Sequence, residues 1–340
     1  MDNSKMEIRI PYETVKIKLL ENLRRLDFTE DRADLCAELF LRASLEGVPS
    51  HGLDRFPVFL NMIKKGKIIP NAVPECIFQQ LVFERWNGNF GPGPLNAHFA
   101  MARSIELSKK FGVGLVALQH TNHWMRAGNF GLQAAESGVV GICFTNTKPN
   151  MPAWGGKEPK LGNNPLVIAI PRANGIILLD MAMSQFSYGK MNTYLRKGEE
   201  MPYEAGFDQQ GNLTKSPAEI ISNELALPVG LWKGAGISLL LDMIASILSG
   251  GAATHEVGKS GFEFDLSQVF LCLDPVLLGF NSWSEQKLDQ IIQDLKSSTV
   301  FQGKEIRFPG EKIAELRRKN LELGIPVDQE VWNKIIVESE

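Results

Sequence analysis

The 340 residues contain no G-x-G-x-x-G fingerprint, no CxxC pair, no surplus of basic charge and no apolar run of bilayer length. Each absence excludes something. A Rossmann site needs its glycines between a strand and a helix, with an acid about 20 residues further on. Gly91-Pro92-Gly93 has prolines where the chain must turn, Gly112-Val113-Gly114 enters a strand, and Gly234-Ala235-Gly236 lacks the third glycine. A dinucleotide would therefore need another architecture. Lysine and arginine total 36 against 39 acids, a net charge of −3 that leaves no footprint for nucleic acid. The most apolar stretch, Gly236 to Leu248, is interrupted by Asp242 and is expected to be too short to span a membrane. Cys36, Cys76, Cys143 and Cys272 lie far apart, three of them in apolar runs, and read as buried free thiols of a reducing compartment. MDNSKMEIRI carries charge from the start and no apolar h-region, so the expected location is cytoplasmic.

What is present is ordinary globular composition, 44% hydrophobic and 22% charged, over a length that suggests two units. Residues 1–75 look helical. Thr29 is placed to cap a helix in which Ala33, Cys36, Leu39, Phe40 and Ala43 recur at helical spacing until Gly47 and Pro49. A second helix runs from about Pro57 to Lys65. Beyond Pro74 the pattern alternates. A helix near Leu95–Lys110 precedes a strand, Val113–Leu118, then the loop His120–Arg126, a helix from about Asn129 and a strand, Val139–Asn146. Two β-like runs come next, Leu166–Ile170 and Ile176–Met181. The turn Trp232–Gly236 opens an apolar helix, and a strand, Gln268–Leu273, and charged helices close the chain. Consecutive strands break a pure βαβ rhythm. The expected fold is α/β: a non-Rossmann mixed-sheet domain over 76–310, with a helical subdomain from 1–75 on which 311–340 packs.

Ser50-His51-Gly52 with Arg55 carries the most chemistry. Histidine moves protons near neutral pH, glycine beside it lets the backbone turn and leaves room for a ligand, and arginine can fork onto a carboxylate. The bland alternative is a histidine tucked into a helix–helix turn. His120 and His123 have HxxH spacing but lack a neighbouring acid, so no metal is expected. Asp180 ends an apolar run, where a carboxylate must be paired, orient a histidine or cap the next segment. Trp124, Trp154 and Trp232 sit in loops and are candidate ligand walls, or simple packing. Lys233-Gly234-Ala235-Gly236 before a helix could bind phosphate or merely pack closely.

In order along the chain, Ser50-His51-Gly52-x-x-Arg55, Asn122-His123-Trp124, Thr145-Asn146, Asn164-Pro165, Asp180-Met181-Ala182-Met183-Ser184 and Trp232-Lys233-Gly234 resemble the malate/L-lactate dehydrogenase-like oxidoreductases. The resemblance spans nearly the whole chain. It implies a homodimer and a nicotinamide cofactor held without a Rossmann fold. It makes His51 the proton donor and matches Ile176, Ile177, Leu178, Leu179, Asp180, Met181 and Ala182, the pair Trp232-Lys233, and Gly310-Glu311-Lys312 to cofactor-contacting segments. Of the last three, only the glycine matches well, and His120 departs from the family pattern.

The resulting expectation is reduction of a 2-keto sugar acid by NADH, with a rate that declines at alkaline pH as the imidazolium is lost. Arg55 is the candidate carboxylate clamp, Asp180 a catalytic partner, and Ser50, His123 and Arg126 further substrate contacts. NADH is favoured over NADPH because the matched loops carry only Lys233 and Lys312, with no arginine for a 2′-phosphate. Reduction of malate-, lactate-, ureidoglycolate- or cyclic-imine-type partners stays open. So do a metal-dependent lyase using His120, His123 and Asp180, and a non-catalytic sugar-acid binder. An apolar segment that looks exposed, Phe56-Pro57-Val58-Phe59-Leu60, hints at the dimer.

Overall fold

A computed structural model describes residues 7–279 and 282–337. Residues 1–6 and 338–340 of the expected helical unit lie outside the described residues.

Seven strands form one mixed sheet in the order Glu75–Gln80, Phe83–Asn87, Val113–Asn122, Phe264–Leu273, Val140–Thr145, Leu166–Ile170, Ile177–Met181. A single neighbouring pair, Phe83–Asn87 with Val113–Asn122, is parallel, and the helix Gly93–Phe111 makes the crossover between them. All other pairings are antiparallel. A Rossmann sheet needs successive parallel crossovers, so the topology agrees with the missing fingerprint.

Side chains alternate between two cores, as the pleat requires. Val116, Leu118, Cys143, Phe270 and Cys272 face a helical layer made by Tyr12–Arg25, Glu30–Leu45, Phe56–Lys64, Gly93–Phe111, Gly128–Glu136 and Gln329–Val337. Ala117, Phe144 and Val269 face the other way, onto the helix Trp232–Ser249 and the segment that carries Met191, Met201 and Ile220. The chain's two ends meet in a short antiparallel pair, Glu7–Ile10 with Ile325–Asp328, beside the helical layer.

Several sequence expectations need correction. The hairpin Glu75–Gln80/Phe83–Asn87 has no counterpart in the sequence pattern, because its outer strand is exposed at every position and shows no burial period. The strand from Val113 continues through His120, Thr121 and Asn122, so the expected loop begins only at His123. Trp232–Gly236 is the first turn of the apolar helix rather than a turn before it. That helix has 18 residues and is long and apolar enough to cross a membrane by composition. Here it is seated against the sheet, with Asp242 accepting hydrogen bonds from Asn146 Nδ2 and the Thr254 N–H, both at 2.9 Å. Phe56, Phe59 and Leu60 are buried and only Val58 of that segment is exposed, so most of the run belongs to the core. Cys36, Cys143 and Cys272 are buried free thiols, whereas Cys76 is exposed on the edge strand.

Candidate active site

The loops after Val113–Asn122 and Val140–Thr145, those leading into Leu166–Ile170 and Phe264–Leu273, and the turn after the helix Glu30–Leu45 enclose a cavity of about 540 Å³. A space of that size suits a small organic acid together with one ring of a cofactor.

His51 reaches it from a short helical turn, Pro49–His51. The adjacent glycine has a different reason from the one the sequence suggests. A Cβ on Gly52 would lie 2.2 Å from Ser44 Oγ and 2.9 Å from the Phe40 carbonyl oxygen. Gly52 therefore lets the turn press against the helix Glu30–Leu45, and the Leu53 N–H donates to Ser44 Oγ at 2.9 Å. The effect is to fix the backbone of His51, not to leave room for a ligand. Gly93, from the rejected Gly-Pro-Gly, plays a matching part: its Cβ would lie 2.3 Å from the carbonyl oxygens of Asn122 and His123. The Asn122 side chain donates to the Phe90 and Gly91 carbonyls, each at 3.0 Å, bracing the strand end that delivers His123.

The two histidines meet inside. His51 Nδ1 lies 3.1 Å from Ser50 Oγ, and His123 Nδ1 accepts the Met125 N–H at 3.0 Å, which leaves its Nε2 as the protonated nitrogen of the neutral ring. Burial lowers the pKa of His51 to about 3, reinforced by His123, Arg55 and Arg126 and opposed by Glu263. Burial, then Arg55, lowers His123 to about 3 as well. Arg55 lines the cavity and gives one Nη2 contact, 3.2 Å, to Glu263. Arg126 also lines it, but its Nη1 is held by buried Glu46, and its Nε has no partner. Ser50 completes this wall.

The edge strand Ile177–Met181 also lines the cavity. Alternation brings Leu178, Asp180 and Ala182 to the cavity, while Ile177, Leu179 and Met181 alternate away from it and Ile176 packs into the core. Asp180 faces the open cavity, where water reaches it, and accepts the Gly128 N–H at 2.8 Å. Enclosing protein atoms raise its pKa, with Arg126 and the Gly128 N–H opposing. Gly310 lines the cavity and its neighbour Pro309 accepts the Leu178 N–H at 3.0 Å. Glu311 and Lys312 are turned to ion pairs with Lys296 and Glu305. Trp232 and Lys233 do not line the cavity, nor does Trp154, whereas Trp124 lines it while 2% exposed and packed on Phe130 and Phe270.

The rival metal set does not converge. His120 pairs with Asp265 at 2.7 Å, whereas His123 faces His51. Sequence reasoning missed Lys148, Asn150, Tyr188, Glu224 and Glu263, all on the cavity wall. They come from turn-rich segments with no periodicity. The one available signal was Glu224, placed directly after a short helical pattern where glycine usually ends a helix.

The wall can receive a nicotinamide. Val48, Leu178, Ala182 and Ile313 give it apolar surface next to the acid–base groups, and Arg126 Nε is an unpaired donor there. Comparison with known proteins agrees with this chemistry. The pattern of the malate/L-lactate dehydrogenase family matches residues 10–336. The chain belongs to that family. It is 42% identical over 330 residues to the 2,3-diketo-L-gulonate reductase of Citrobacter koseri, covering 96% of this chain and 99% of that one. The malate dehydrogenase of Entamoeba histolytica superposes with a TM-score of 0.93 at 28% identity, over 98% of each chain. The malate dehydrogenase of Pyrococcus horikoshii OT3 gives 0.89 at 29%, over 98% of this chain and 96% of that one. The chain is thus an oxidoreductase acting on CH–OH and keto groups of a small molecule, with a nicotinamide cofactor.

Proposed function

We propose that the chain reduces a 2-keto sugar acid of the 2,3-diketo-L-gulonate type to the 2-hydroxy acid, using NADH, with His51 as proton donor. The observation that carries this reading is the convergence of His51, Arg55 and Asp180 on one cavity. The substrate type comes from the relative that shares 42% of its residues. Leu178, Asp180, Ala182 and Gly310 would hold a reduced nicotinamide, which when bound would supply the hydride for the C2 carbonyl carbon. Arg55 holds the substrate carboxylate, and Asp180 helps place substrate or histidine. His51 gives its Nε2 proton to the forming alkoxide, with Nδ1 steadied by Ser50. Neutral His123, through its Nε2–H, and the Arg126 guanidinium complete the polar wall that orients the acid, an arrangement whose positioning effect can reach about 7–11 kcal/mol. NADH is preferred because the cofactor segments carry Lys233 and Lys312 and no arginine, and Lys312 is already paired with Glu305.

The same reading includes a cytoplasmic homodimer and a division into residues 76–310 and a helical unit of 1–75 with 311–340. For the dimer, the supporting surface is the helix Trp232–Ser249, which exposes Trp232, Ile237, Leu240, Met243, Ile244 and Ile247 along one stripe. Light scattering should give twice the 37.8 kDa chain mass, and Leu240→Lys with Ile247→Glu should shift it to one chain.

The test of function is a panel of 2-keto acids with NADH and NADPH. The expected result is highest kcat/KM with a polyhydroxylated 2-keto acid and NADH. Higher kcat/KM with NADPH, or reduction confined to oxaloacetate, would overturn the reading.

A further inference from the structure

The end of the cavity beyond Tyr188 is built for hydroxyl groups. A Cβ on Gly189 would lie 2.7 Å from Ser50 Cβ and 3.7 Å from His51 Cε1, so this helix start abuts the catalytic turn. Its neighbour Tyr188 donates its hydroxyl to the Asn150 carbonyl at 2.6 Å, and burial together with Glu224 holds that phenol protonated. Past it, Lys148 Nζ pairs with a Glu224 oxygen, and both side chains are little more than a third exposed. Asn150 is 5% exposed, and its Oδ1 has no hydrogen-bond partner.

Glu224 occupies its place at a cost. It ends the helix Pro217–Asn223 in the left-handed region, φ 55° and ψ 37°, where a Cβ is unfavourable and glycine is the usual residue. Such strain persists where something else requires the side chain. Here the side chain puts a carboxylate on the cavity wall against Lys148. The pair offers N–H donors and carboxylate acceptors at one point with no net charge. A vicinal diol can donate to one and accept from the other. A second carboxylate would gain little from a lysine already neutralised and would meet the repulsion of Glu224.

We infer that Lys148 and Glu224, with Asn150, form the subsite for the hydroxylated tail of the 2-keto acid, and that Glu224 rejects dicarboxylates. This rests on the proposed function, and the experiment separates the two. The ratio of kcat/KM for 2,3-diketo-L-gulonate to that for oxaloacetate is measured for the wild-type protein and for Glu224→Gly and Glu224→Gln. Glu224→Gly removes the left-handed strain, so its melting temperature should be no lower than wild type. Glu224→Gln keeps the shape without the charge. Both variants should lower the ratio by roughly 10–100-fold, the effect of losing a charged hydrogen-bond partner. Part of that change should be a rise in oxaloacetate reduction, because Lys148 is set free. A ratio within twofold of wild type in both variants overturns the inference and leaves the proposed function standing. So does a raised KM for NADH with an unchanged ratio, which would assign the pair to the cofactor. A wild-type protein that reduces neither acid removes the proposed function itself, and the inference with it.

Discussion

The imidazole rings of His51 and His123 face each other with centroids 5.9 Å apart and 22° between their planes. Two protonated rings cannot share that position among Arg55 and Arg126, and in the free protein the pKa of each is lowered to about 3. His51 is therefore a neutral base near pH 7 and must gain a proton before it can give one.

This neutrality sets the pH dependence. For reduction, kcat/KM reports the protonated fraction of His51 in the free enzyme. With a pKa of about 3, its logarithm should fall with a slope near −1 from weakly acidic through alkaline pH. The decline is thus not confined to alkaline pH, because burial moves its start well below neutrality. In the oxidation direction the neutral ring is already the required base, and kcat/KM should be flat over the same range. Steady-state assays in both directions check this. A plateau for reduction up to pH 7 would return His51 to its ordinary pKa.

His51→Gln retains bulk and a hydrogen-bond donor but cannot relay a proton. Its kcat should drop by about 10²–10⁴-fold, the usual effect of losing one general acid. NADH binding, followed by fluorescence titration, should survive, since Leu178, Asp180 and Gly310 belong to other segments of the chain than the turn Pro49–His51. A purely structural histidine would instead lose activity and binding together, in step with a lowered melting temperature.

Arg55→Lys keeps the charge and loses the fork. The expected result is a raised KM for the keto acid with little change in NADH affinity. Unchanged kinetics would remove Arg55 from the carboxylate role. Arg126 could then take it only through Nε, because buried Glu46 holds its Nη1.

Acid stability carries the same signature. Folded pKa values of about 3 lie below the unfolded histidine value of about 6.5. The unfolded chain therefore binds more protons between those limits, so stability is complete above about pH 6.5 and is lost as pH falls toward 3. Wild-type melting temperature should drop between pH 7 and pH 5, and His123→Gln, though weakened at pH 7 by losing its bond to the Met125 N–H, should drop less. Equal drops would contradict the exclusion of charge from these rings that the lowered pKa values describe.

The helices of the N-terminal layer were legible because each buries one face. Ala33, Cys36, Leu39, Phe40 and Ala43 are inside, at the spacing their sequence shows. That His51, Arg55 and Asp180 would meet at one cavity was legible through their chemistry and through family resemblance. The hairpin from Glu75 was not, since an edge strand exposed on both faces carries no period. Nor were Lys148, Glu224 and Glu263 as residues of the cavity wall. Their segments are folded by turns and by contacts distant in sequence, such as Arg55 with Glu263, and a local pattern records neither. Phe56–Leu60 failed in the opposite sense, because an apolar run reads alike whether it faces a partner chain or its own core.

The most direct test tracks the hydride. The chain is incubated with 2,3-diketo-L-gulonate and NADH carrying deuterium at both C4 positions of the nicotinamide, and the product is read by NMR. The account predicts one deuterium at C2 of the resulting 2-hydroxy acid, with the rate of its appearance falling about 10²–10⁴-fold in His51→Gln. Deuterium at C3, or a product free of deuterium while NADH is consumed, would contradict it.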